Sequence, residues 1–340
     1  MVETARESRW SHRLAVLLAA ATFPLLWLGG MVTTYQAGMA VPDWPSTYGY
    51  NLFLYPWQSW LAGPWDLFLE HGHRLLGALV GVLTIGLAAV LWRCEPRRWL
   101  RWLGAGALAG VCLQGVLGGL RVVLDQRQLA LLHGCLGPLF FALCVALAVV
   151  TSRRWIVPPV LPERGSEPHL PRLAWLTVVL SYVQLVIGAH LRHMPADGAP
   201  GGFRALVFLH LLMAAVVALH VGLAVGRVIW SYRQVPALVW PAAWLVLLLV
   251  VQLGLGGGTW VVKYGWPDWS IGVPGAEGYT VLAAGWLQAT VVTAHVATGS
   301  LLLGCSLVLA LRSTRLLGVV WPGAVLPGAA ALPFLPELAA

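Results

Sequence analysis

Eight apolar stretches, each long enough to cross a lipid bilayer, dictate what this chain of 340 residues can fold into; they read at about 14–35, 68–92, 99–120, 129–150, 172–191, 205–228, 238–260 and 285–311. A helix rises about 1.5 Å per residue, so roughly 20 apolar residues cover the ~30 Å hydrocarbon core of a membrane. With 59% hydrophobic residues, 10% charged residues and 19 Trp, the composition lies far from that of a soluble domain. The expected fold is all-α and integral to the membrane, with eight transmembrane helices. The N-terminus is basic, then apolar with small residues, and so resembles a signal peptide. Leu14 to Val32 is nevertheless long enough to span and seven spans follow, so it reads as a retained first helix.

Basic residues set the orientation. Fifteen of the 21 Lys and Arg fall on the side of the N-terminus, while the other face keeps Arg74, Arg121, Arg127, Arg192, Arg204 and Lys263. Both termini are therefore expected in the cytoplasm, and the lack of a recognisable transit peptide points to a bacterial cytoplasmic membrane. The net charge of +8 is mostly this topology signal, so nucleic acid is not an expected partner. The five cysteines, Cys94, Cys112, Cys135, Cys144 and Cys305, lack CxxC spacing and support neither a zinc site nor a disulfide framework.

A polar, proline-rich stretch from Ile156 to Pro171 divides the spans into four and four. It predicts an N-terminal four-helix bundle over residues 1–155, a cytoplasmic linker over 156–171, a C-terminal bundle over 172–315 and a tail over 316–340. A hairpin unit repeats within this array. Spans three, five and seven carry Gln-x-x-x-Gly near their outer ends: Gln114 with Gly118, Gln184 with Gly188, Gln252 with Gly256. The first span has Gly29 and Gly30 without the glutamine. It runs into Pro42-Asp43-Trp44, which recurs as Pro267-Asp268-Trp269. Helix pairs built alike predict two pseudo-symmetric bundles.

Each even span then presents one histidine: His73, His133, His210 and His295. Each lies 17 to 20 residues before the arginine that ends its run (Arg93, Arg153, Arg227, Arg312), which places all four near one membrane face. Each is followed four residues on by a small residue, Gly77, Gly137, Ala214 or Gly299, leaving a flat notch. Small residues at this spacing are ordinary helix-packing chemistry, and a single intramembrane histidine often only bonds a neighbour. Four at one depth in a repeated unit favour ligation, since polar groups in a bilayer are costly. A ring over a notch suits a planar macrocycle, and haem iron between axial histidines is the leading candidate.

The second span departs from the repeat in Glu70-His71-Gly72-His73-Arg74. Glu70 lies on the face of His73, one turn nearer the outside, where the other even spans have Ala130, Val207 and Val292. An ionisable group in one bundle only predicts one reacting site and one electron-transfer site, the competing reading being an interfacial Glu70–Arg74 pair. Arg74, Arg121, Arg127, Arg192 and Arg204 are candidates for haem propionates, which guanidinium groups grip through paired hydrogen bonds, although snorkelling to the interface explains any single one. The segment from Tyr35 to Leu69, rich in Trp and Tyr, reads as an interfacial aromatic belt or as a lid beside Glu70. His12, His71, His169, His190, His193 and His220 read as non-ligating.

These residues together resemble the haem A synthase family of cytochrome oxidase assembly: Glu-x-x-His-Arg on the second span, single histidines on spans four, six and eight, Pro-Asp-Trp-Pro after the first, and the Gln-x-x-x-Gly ends. The resemblance covers all eight spans. It implies an oxidoreductase that converts the C8 methyl group of haem O to a formyl group through a hydroxymethyl intermediate. It also implies a haem b cofactor (iron) on His210 and His295, substrate haem on His73 and His133, and Glu70 beside the reacting edge. Many family members carry a cysteine pair in the first external loop, and this chain has none between Tyr35 and Leu69. Candidate partners are haem O, the haem O synthase that would deliver it, an electron donor the sequence does not name, the lipid bilayer and further copies of the chain. A non-enzymatic dihaem cytochrome b fed by quinol, or a haem carrier, are the rival readings.

Overall fold

The computed structural model describes residues 2–158, 169–195, 199–267, 276 and 279–317. The described residues are helical almost throughout. Eight long helices run in chain order: α1 (Val2–Thr34), α2 (Trp65–Cys94), α3 (Arg98–Val123), α4 (Arg127–Val150), α5 (His169–His193), α6 (Pro200–Tyr232), α7 (Pro236–Tyr264) and α8 (Trp286–Leu316). All eight are apolar and long enough to cross a membrane, and the chain is a multi-pass membrane protein. Most of the linker read at 156–171, the tail from Gly318 on, and Asp268 and Trp269 of the second Pro-Asp-Trp lie outside the described residues.

Every helix runs past the apolar stretch that announces it. α6, legible as 205–228, extends from Pro200 to Tyr232. Hydropathy registers only the part inside the hydrocarbon, while backbone hydrogen bonding continues through residues such as Arg204 and Tyr232.

Helices α1 to α4 close into a ring of neighbours, each touching the next and α4 returning to α1; α5 to α8 close likewise. The rings meet through α1 and α4 on one side and α5 and α8 on the other. Lipid tails are as apolar as leucine, so this packing rests on close van der Waals fit and small residues. α8 is the most buried helix and α6 the least. On α8 the buried positions include Gly299, Ser300, Gly304 and Ser306, with Phe141 of α4 lying 3.3 Å from where a Gly304 Cβ would stand. Ser300 and Ser306 donate to the carbonyls of Val296 and Leu302 in their own helix, so neither serine hydroxyl is stranded.

At the end where α1 begins, the α2–α3 hairpin is tied by Arg97, which pairs with the Glu95 carboxylate at 2.6 Å and donates to the Val150 carbonyl at 3.1 Å. At the opposite end, the α1–α2 connection is an ordered loop with a short helix at Trp57–Leu61. Phe53, Leu54 and Trp57 on it are all more than 60% exposed, as an interfacial belt would be.

Candidate functional site

The four histidines of the even helices come together in two pairs. His73 of α2 faces His133 of α4 with ring centres 6.3 Å apart and planes at 82°. His210 of α6 faces His295 of α8, also at 6.3 Å, with planes at 68°. An iron held by an imidazole on either side needs two Fe–N bonds of about 2.0 Å and two half-rings of about 1.15 Å, or roughly 6.3 Å between ring centres. Both pairs have the required span.

The Gln-x-x-x-Gly repeat accounts for how each imidazole is held. A Cβ at Gly118 would lie 3.2 Å from His133 Cε1; at Gly188, 3.2 Å from His210 Cε1; at Gly256, 3.2 Å from His295 Cε1. On α1, Gly29 does the same for His73 at 3.0 Å, with Leu25 in the place of the glutamine. Each ring therefore sets its Cε1 edge against a glycine of the preceding odd helix. The small residues four positions after each histidine line the cavity instead, with Leu26 packed on Gly137 and Leu185 on Gly299. His133 Nδ1 donates to the Gln114 carbonyl at 3.1 Å, and the Gln114 amide reaches the His133 carbonyl at 3.5 Å. Gln184 donates to the His210 carbonyl at 3.0 Å. A donating Nδ1 leaves Nε2 as the lone pair for a metal.

One continuous cavity of about 1400 Å³ contains both pairs, larger than a single small-ligand site of ~300–1,000 Å³. His73 and His295 lie against the backbone of Leu25 and Gln252 as His133 lies against that of Gln114, while Nδ1 of His210 has no hydrogen-bond partner. Among the described residues, no group of three or more His, Cys, Asp or Glu could hold a bare metal ion. Paired imidazoles suit an iron whose other four ligands belong to a macrocycle. The residues present thus fit haem on the counts of span and ligand number.

Around the first pair the Glu-His-Gly-His-Arg segment divides its labour. Glu70 is 2% exposed and both its oxygens are engaged, Oε1 by Arg74 at 2.7 Å and Oε2 by the Val41 amide at 2.9 Å. Arg74 also donates to the carbonyls of Val41, Asp43 and Ser46 at 2.7–2.9 Å. His71 hydrogen-bonds Thr47 at 3.0 Å and packs on Tyr55 and Trp60, away from the cavity. Three of the five residues hold the outer loop, and His73 alone joins the histidine pair. Burial pushes the Asp43 carboxyl up, but the Gly49 and Tyr48 amides and the Ser46 hydroxyl hold it below its ordinary value. Its contribution to the turn is present above the ordinary carboxylate range and is lost as pH falls through the lowered value.

The candidate propionate contacts separate. Arg74, Arg121 and Arg192 line the cavity, whereas Arg127 and Arg204 are exposed at helix starts and are not among its lining residues. Arg121 donates to the Gly38 carbonyl at 3.2 Å. Arg192 crosses between the bundles to the Gly30 carbonyl and Thr34 hydroxyl of α1, both at 2.6 Å. Sequence reasoning missed Lys263, Trp44 and His193 as wall residues. Lys263 was visible as an outer cation, but a hydropathy pattern carries no signal for a loop tryptophan folding inward.

Valine at Gly118 would put methyl groups into the His133 ring. Overpacking of this kind costs about 1–3 kcal/mol, so haem occupancy at the first pair is expected to fall roughly tenfold or more while the second pair keeps its haem. Quantitative haem extraction from the purified variant checks this, and full occupancy would remove the seat from the account.

Residues 64–200 match the family described as Cytochrome oxidase assembly protein. The chain is 27% identical to a Heme A synthase of Symbiobacterium thermophilum over 265 residues, 71% of this chain and 81% of that one. It is 28% identical to a Heme A synthase of Shouchella clausii over 198 residues, 56% of this chain and 62% of the relative. A Protoheme IX farnesyltransferase of Halobacterium salinarum is 34% identical over 186 residues, which are 51% of this chain and only 37% of that longer protein.

Proposed function

We propose that the chain, similar to Heme A synthases and to the Cytochrome oxidase assembly protein family, is a haem A synthase, an oxidoreductase that makes haem A by oxidising the C8 methyl group of haem O to a formyl group through a hydroxymethyl intermediate. The observation that carries the reading is the presence of two histidine pairs of equal 6.3 Å span in one cavity, only the first of which, among the described residues, has a carboxyl beside it.

In this reading residues 1–155 form the substrate unit and 172–315 the cofactor unit. His73 and His133 would hold the substrate haem, and His210 and His295 would hold haem b. When bound, haem b supplies one-electron redox chemistry beside the reacting site. The chain's own part is to bind, orient and exclude water. Each imidazole is fixed by its glycine seat, so the macrocycle is fixed in turn. Glu70 lies one turn outside His73 on the cavity wall, and its two bonds leave each oxygen a second lone pair. It can orient water or stabilise positive charge at the methyl carbon without moving, because Arg74 and Val41 hold it in place. Arg121, Arg192 and Lys263 offer positive charge to the propionates from the outer side. The histidine layer faces outward and both termini face the cytoplasm, in keeping with the bias of basic residues.

Haem composition tests the reading against a dihaem cytochrome. Protein purified from cells that make haem O is expected to carry haem b together with haem O, its hydroxymethyl derivative or haem A; two haems b and nothing else would favour the cytochrome. Glu70→Gln is expected to lower haem A formation at least about 100-fold, near 3 kcal/mol of lost stabilisation, with both haems retained. Unchanged product would end the catalytic role of Glu70.

A further inference from the structure

The loop that α2 holds so firmly places one large side chain in the cavity. Arg74 bonds the carbonyls of Asp43 and Ser46, which bracket Trp44 and Pro45. Glu70 holds the Val41 amide, and Thr47, fully buried, hydrogen-bonds His71. Between these anchors the Trp44 indole lies on Gly119 of α3 so closely that a Cβ there would overlap its six-membered ring at Cδ2, Cε2 and Cε3. Gly119 is buried and follows Gly118, the seat of His133. Adjacent glycines thus carry the His133 imidazole and an indole. Trp44, Pro45 and Leu52 are the loop's contribution to the cavity wall.

The polar groups nearest this wall are already engaged: Arg74 by three hydrogen bonds to the loop and one to Glu70, Glu70 by that bond and the Val41 amide, and Arg121 by one to the Gly38 carbonyl. What the wall offers a ligand on the His73–His133 pair is therefore apolar contact from a rigid surface, suited to an apolar substituent at the macrocycle's edge. We propose that Trp44, positioned by the Glu70–Arg74–His71 frame and seated on Gly119, is a specificity-determining residue that selects a macrocycle bearing an isoprenoid chain over one bearing only short substituents. This rests on the first pair being the substrate site. A side-chain contact of this kind is worth roughly 10- to 200-fold in discrimination.

The test uses the full chain in detergent with haem b retained at the second pair. Haem O and haem b are titrated separately into wild type, Trp44→Ala, Trp44→Phe and Gly119→Ala, following the low-spin absorbance change that a His133→Ala control lacks. Wild type is expected to prefer haem O. Trp44→Ala and Gly119→Ala are expected to reduce that preference about tenfold by weakening haem O, with haem b affinity within about threefold and the resident haem b intact; Trp44→Phe should fall between. An unchanged preference in both Trp44→Ala and Gly119→Ala overturns the proposal, as does equal loss of both haems, which would make Trp44 a purely structural element. A wild type that binds both haems equally also overturns it. If wild type binds neither haem at this pair, the substrate site itself is wrong and the selectivity proposal falls with it; that outcome is recognised in wild type before any variant is compared.

Discussion

Alanine in place of His73 or His133 is expected to reduce haem A formation more than about 100-fold, to the limit of detection, while the protein keeps haem b at the second pair. Either substitution leaves a single imidazole facing the cavity where two stand 6.3 Å apart. Changes to the mere supports of a metal ligand cost roughly 10- to 100-fold, and removal of the ligand itself should cost more. Pyridine haemochrome spectra and chromatography of extracted haems measure both quantities on one sample. Imidazole in the medium should restore part of the activity to the alanine variants, because the glycine seats at Gly29 and Gly118 would lie uncovered. Loss of haem b from these variants, with haem O still bound, would invert the assignment of the two sites.

The second large effect is expected at the other pair. His210→Ala and His295→Ala should strip haem b from the protein, losing more than about 90% of it, and product should fall in parallel. The two pairs share one cavity, and α1 joins them directly. Gly29 seats His73, and next to it Gly30 packs against Thr293 of α8 and accepts a hydrogen bond from Arg192 of α5. A disturbance at the second pair therefore has a contiguous route to the first. Substrate haem should still bind in these variants, with a spectrum of two axial histidines, and its complete loss would show that the bundles do not bind independently.

Much of this arrangement was legible in the amino-acid sequence because membrane physics leaves few options. Runs of about 20 apolar residues must be helices, and the depth of His73, His133, His210 and His295 follows from the helical rise. The glycine seats were half legible. The Gln-x-x-x-Gly repeat was plain, yet which ring lies on which glycine depends on how neighbouring helices meet, and a single chain carries no marker of that. For the same reason the small residues after each histidine looked like the surface under the ring, although the surface belongs to the preceding helix. The two readings of Glu70 turned out to be compatible: it pairs with Arg74 near the interface and also lines the cavity. Arg127 and Arg204 share a membrane face with Arg121 and Arg192, and only the direction of each side chain separates wall from surface.

The aromatic loop shows the same limit. Its belt-like residues Phe53 and Trp57 are exposed, as composition predicts, while Trp44, 39% exposed, lies on Gly119 and lines the cavity, its flanking carbonyls at Asp43 and Ser46 bonded by Arg74 of α2, 28 or more residues away.

The most direct test is to introduce this gene into cells that make haem O but no haem A, and to separate their extracted haems by chromatography with mass detection. The account predicts haem A or its hydroxymethyl precursor in cells carrying the gene and neither in cells without it. Haem O that stays unchanged while the protein is inserted and loaded with haem would contradict the account and leave the cytochrome reading in its place.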